Sequence, residues 1–98
     1  MKLHIQSLHF DADVKLLDFV QKKLDKLDTF YDRIVEGEVI LKLQNVEKTN
    51  KIVQVKLAIP GNDILAKEEA ASFEEATDKV YDSLKRQLTK HKEKMATY

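Results

Sequence analysis

The sequence predicts an α+β domain of order βαβββα: a four-stranded mixed sheet with two helices packed on one face. Three observations carry this. Two stretches place apolar residues at helical spacings, two others alternate apolar and polar residues, and 98 residues contain only two glycines and one proline, so long regular elements are expected. Leu3, Ile5 and Ser7 alternate with His4, Gln6 and Leu8, the pattern of a short half-buried strand. Asp13 then offers a side-chain oxygen to cap a helix from Val14 to Thr29, in which Leu17, Val20, Leu24, Leu27 and Tyr31 recur at spacings of 3, 4, 3 and 4. Leu16 and Phe19 widen its apolar face. A second strand is predicted over residues 35–44, with Val39, Leu41 and Leu43 on one side, followed by a polar loop over residues 45–50.

The third strand has the cleanest alternation, Val53, Val55, Leu57 and Ile59 against Gln54, Lys56 and Ala58. Pro60-Gly61 suits the centre of a type II turn, since proline fixes φ and glycine accepts a positive φ. A fourth strand is predicted over residues 63–69. Ser72-Phe73-Glu74-Glu75 reads as a capping box that opens a second helix carrying Phe73, Ala76, Val80, Leu84 and Leu88 on one face and reaching at least Lys94. A β-α-β start predicts parallel first and second strands. No linker or internal repeat divides the chain, so residues 1–98 form a single domain.

Composition narrows the function. Seventeen Lys and Arg balance seventeen Asp and Glu, and cysteine is absent, which excludes disulfides, thiol catalysis and thiolate metal sites. No apolar run approaches the roughly 20 residues of a membrane span, and Met1-Lys2-Leu3-His4-Ile5 lacks the apolar stretch of a secretion signal. The expectation is a soluble cytoplasmic protein that engages no membrane. His4, His9 and His91 are scattered, two glycines cannot build a phosphate loop, and the pairs Glu68-Glu69 and Glu74-Glu75 point their carboxylates apart. No catalytic residue, metal site, cofactor or small-molecule substrate is therefore expected; the chain reads as a binding protein and not an enzyme.

The balanced total hides an uneven distribution. Residues 79–98 hold six bases and two acids, a net of +4, whereas residues 1–78 hold eleven bases and fifteen acids, a net of −4. At 100° per residue, Lys79, Arg86 and Lys90 fall within about 40° of one another, and Lys22 and Lys26 cluster with Lys15 on the first helix, with Lys23 to one side. Two such ridges flanking one groove could seat a phosphate backbone. Periodicity alone leaves two alternatives open, a phosphate-binding face and an ordinary solvated lysine face that complements the helix dipole.

The segment Leu84-Lys85-Arg86-Gln87-Leu88-Thr89-Lys90-His91-Lys92-Glu93-Lys94 resembles the closing helix of the ribosome hibernation promoting factor and ribosome-associated inhibitor family, also called ribosomal subunit interface or sigma-54 modulation proteins. Phe30-Tyr31-Asp32-Arg33-Ile34 resembles the family's approach to the second strand, and Phe19-Val20 with Lys23-Leu24-Asp25-Lys26-Leu27 its first helix. The resemblance spans essentially the whole chain and implies the same βαβββα fold, which is similar to double-stranded-RNA-binding domains. It implies a translation inhibitor that binds 16S-type rRNA in the mRNA and tRNA channel of the small ribosomal subunit. The basic positions that match are Lys23, Lys26, Arg86, Lys90 and Lys92, with Arg33 at the helix–strand junction; the surrounding basic pattern adds Lys22, Lys79, Lys85, His91 and Lys94 as rRNA-binding candidates. Ser83 stands where many relatives carry lysine, and Lys79, one turn earlier, can substitute. The chain resembles the short form of the family, without a dimerisation domain, and is expected to be monomeric. The competing expectation is a small module that binds an acidic protein partner without RNA.

Overall fold

The computed structural model describes residues 1–44 and 50–96. Its elements are β1 (Leu3–Leu8), α1 (Val14–Phe30), β2 (Glu36–Leu43), β3 (Lys51–Ile59), β4 (Asn62–Ala70) and α2 (Phe73–Ala96). The strands lie in chain order across the sheet, β1 parallel to β2 and the other neighbours antiparallel. This is the expected mixed sheet. The loop anticipated over residues 45–50 falls, apart from Asn50, outside the described residues; the Gln44 amide donates to the Asn50 carbonyl across its base at 2.8 Å.

Local chemistry sets the boundaries. Asp13 caps α1, its Oδ1 accepting from the Leu16 amide at 2.8 Å. Ser72 Oγ accepts from the Glu75 amide at 3.1 Å, the forward half of the capping box, and among the described residues the return bond from Glu75 is not made. His9 ends β1 with φ at 72°, a conformation histidine tolerates better than branched residues do. The β3–β4 hairpin turns on Pro60-Gly61, where Gly61 takes φ of 77° as the turn requires and Ile59 pairs with Asn62.

One sheet face meets both helices. Val39 and Leu41 from β2, Val53, Val55, Leu57 and Ile59 from β3, and Ile64, Ala66 and Ala70 from β4 form a single core with Val20, Leu24 and Leu27 of α1 and Phe73, Ala76, Val80, Leu84 and Leu88 of α2. Period-two strands and 3.6-period helices thus contribute their apolar sides to the same layer. Thr77 is the buried polar residue of α2, and its hydroxyl donates back to the Phe73 carbonyl at 2.7 Å. The first turn of chain is tied to α1: the Met1 amine donates to Asp25 at 2.9 Å and to Asp28, and these carboxylates, Asp28 foremost, raise its pKa above the ordinary value.

Two side-chain hydrogen bonds join α2 to β4. Gln87 Nε2 donates to the Leu65 carbonyl at 2.8 Å, and Lys79 Nζ to the Glu69 carbonyl at 3.3 Å. Both run from the outer flank of α2 to β4, the last strand of the sheet.

Gly37 lies close against two leucine side chains. A Cβ there would lie 2.7 Å from Leu3 Cδ2 and 2.8 Å from Leu57 Cδ2, and Leu57 is fully buried. Gly37→Ala should therefore cost about 1–3 kcal/mol through overpacking. A urea melt is the check, and an unchanged midpoint would show that both leucines yield freely.

Candidate nucleic-acid interface

The basic residues of α2 project from two flanks, and packing decides which flank meets what. On the flank towards α1, Lys23 Nζ pairs with Asp78 at 3.2 Å and sits 4.7 Å from the centre of the Tyr81 ring. Further along, the Phe30 ring at the end of α1 receives Lys92 Nζ at 4.5 Å and Lys85 Nζ at 5.7 Å, and Lys92 also donates to the Phe30 carbonyl at 3.0 Å. His91 stands edge-on to Tyr31 with ring centres 5.7 Å apart. The interhelical groove is thus lined by lysines and aromatic rings.

These contacts differ in electrical consequence. An ion pair cancels charge: Lys23, with only 24% of its side chain exposed, is matched by Asp78 and clamps the two helices together. An aromatic face holds an ammonium by its quadrupole, worth about 0.5–1 kcal/mol at exposed sites, and leaves the positive charge intact. Lys85 and Lys92 therefore remain exposed cations, restrained but not neutralised. Lys26 is exposed on the same side of α1, and Lys22 lies nearer the helix's outer surface. Arg33 is exposed in the turn three residues beyond Phe30.

The other flank of α2 faces β4. Lys79 reaches the Glu69 carbonyl, and Lys90, His91 and Lys94 line a hollow of about 260 Å³ with Gln87, Asn62, Asp63 and Ile64. On the helical wheel Lys79 falls between Arg86, which is exposed, and Lys90. Asp63, the carboxylate of that hollow, is also engaged by Lys56 at 3.7 Å. Of the sequence candidates, then, Lys23, Lys26, Lys85 and Lys92 gather at the groove, whereas Lys79, Arg86, Lys90 and Lys94 lie across α2 from it. Sequence reasoning missed Phe30, Tyr81 and Asp78 as the groups that position the groove lysines. The helical period ties residues three and four apart, but Phe30 and Lys92 are 62 residues apart and meet only through packing.

Among the described residues, no group of three or more His, Asp and Glu could hold a metal ion, and no helix is long and apolar enough to cross a membrane. A small α+β domain whose two helices present cations beside aromatic rings offers a surface chemically suited to bind an anion.

Comparison with known proteins narrows the class. Residues 3–96 match the family described as Sigma 54 modulation protein / S30EA ribosomal protein. The ribosome hibernation promoting factor of Klebsiella oxytoca is 38% identical over 95 residues, covering 97% of each chain. That of Pseudomonas putida is 37% identical over 94 residues, 96% of this chain and 89% of its own. Among solved structures, a ribosomal subunit interface protein from Coxiella burnetii superposes with a TM-score of 0.85 at 25% identity, over 94% of this chain and 98% of its own. The N-terminal domain of Thermus thermophilus Protein Y gives 0.82 at 25% identity, over 93% and 99%. The chain belongs to the Sigma 54 modulation protein / S30EA ribosomal protein family.

Proposed function

We propose that this protein is a ribosome hibernation factor that binds 16S-type rRNA of the small subunit, in the channel for mRNA and tRNA, and so keeps idle ribosomes from translating. Family membership and relatives named as hibernation promoting factors support the ribosome as partner and the cell interior as its place of action. The observation that carries the rRNA reading is the groove in which Lys85 and Lys92 rest on Phe30 with their charges intact. Such a surface neutralises phosphates and follows the shape of a folded RNA backbone without reading base sequence. The reading assigns no catalytic step.

Gradient sedimentation of a stationary-phase lysate, followed by blotting for the chain, tests this directly. Co-migration with 30S or 70S particles is expected. A peak confined to the top of the gradient defeats the reading and favours a protein partner instead.

Salt dependence tests the chemistry. If about five phosphates are neutralised, log affinity for purified small subunits should fall against log salt with a slope near −4. A flat response between about 50 and 300 mM would show that phosphates do not dominate binding.

A further inference from the structure

The two basic flanks of α2 are separated by an acidic crest. At 100° per residue, the mean direction of Lys85 and Lys92 lies about 130° from that of Lys79, Arg86 and Lys90. Midway between them, on the side facing away from the core, fall Asp82, Thr89 and Glu93; both carboxylates are exposed. A helix with its side chains is about 10–12 Å across, comparable to the Debye length of about 8–10 Å at physiological salt. Cations on opposite flanks therefore act on different phosphates. A single RNA strand laid along the crest would instead face Asp82 and Glu93.

We infer that α2 works as a ridge set between two separate phosphate tracks of folded RNA, one held by Lys85 and Lys92 on the α1 side and the other by Arg86 and Lys90 on the β4 side. The contacts already described fix the flanks independently. Lys92 and Lys85 lie over Phe30 of α1, while Lys79 and Gln87 reach carbonyls of β4. The hollow beside Lys90, about 260 Å³, has room for a phosphate, with Asn62 supplying a neutral donor beside the cations. The inference rests on the rRNA reading above and refines it from one groove to a two-sided wedge.

The test is hydroxyl-radical footprinting of small-subunit rRNA with the full chain, Lys85→Gln/Lys92→Gln, and Arg86→Gln/Lys90→Gln. Each double variant should bind about tenfold more weakly, through the loss of two charges near phosphate, and lower the magnitude of the salt slope by about 2. At saturating concentration the unaltered chain should protect two distinct backbone stretches. Each variant should lose one of them and keep the other. Loss of the same stretch by both variants, or outright loss of binding by either, overturns the two-track arrangement while leaving the rRNA reading standing. No protection by the unaltered chain overturns that reading itself. A circular-dichroism melt of each variant, with Lys85→Gln alone as a milder substitution on the α1 flank, separates lost contacts from lost folding.

Discussion

Reversing Arg86 and Lys90 to glutamate should weaken binding to the small subunit by about a hundredfold or more and leave the fold standing. The substitution changes the local charge by four units. A unit charge about 5 Å from a phosphate in water contributes roughly 0.8 kcal/mol, so four units amount to about 3 kcal/mol, which is a factor of one to two hundred. Both side chains are exposed, and neither makes an ion pair among the described residues. Exposed charges contribute little to stability, so the melting temperature should move by only a few degrees. Affinity at fixed salt and a thermal melt on the same preparation check the two halves. A variant unfolded at room temperature would show that these residues hold the structure together.

Leu84→Ala should do the opposite. Leu84 is fully buried near the middle of α2, in the core shared with both helices and the sheet. Truncation removes its transfer free energy and leaves a cavity, for a loss of about 2–5 kcal/mol. Each kcal/mol shifts the melting temperature of a domain this size by about 4–8 °C, so a fall of about 10 °C or more is expected. In urea the midpoint should drop with the slope unchanged, because the surface exposed on unfolding is almost the same. At low temperature and saturating concentration the variant should still occupy small subunits. A loss below about 1 kcal/mol would mean that α2 seats on the sheet in a different register.

The contrast between these two substitutions matches what could and could not be read from the sequence. Core residues announce themselves through period: Val53, Val55, Leu57 and Ile59 alternate, Val80, Leu84 and Leu88 recur every fourth position, and all are buried as the pattern requires. Asp13, Ser72 and Pro60-Gly61 are equally legible, because caps and turns depend on neighbours within a few residues. The element ends shifted by only a residue or so, as at Phe30, where α1 runs one position past the expected Thr29.

The candidate interface was legible only in part. The wheel correctly grouped Lys79, Arg86 and Lys90, since angular spacing is a property of one helix. It could not say what that flank would face, because the direction of a helix flank is set by its tertiary neighbours. The structure turns it to β4 and gives the α1 side to Lys85 and Lys92. Lys23 shows the same limit. Its neighbours in the sequence give no sign of Asp78, 55 positions later, which pairs with its ammonium as a tie between helices.

The cover that α2 lends to β4 bears on self-association. The last strand of an open sheet carries a row of unpaired carbonyls and amides, an invitation for another chain to add a strand. Here the Leu65 and Glu69 carbonyls are taken by Gln87 and Lys79 of the same molecule, and Lys67 places a charge between them along the strand. The helix that presents the basic flanks is therefore also the guard of the sheet. Loosening of α2 would expose a templating edge at the same moment that it disperses the cationic ridge.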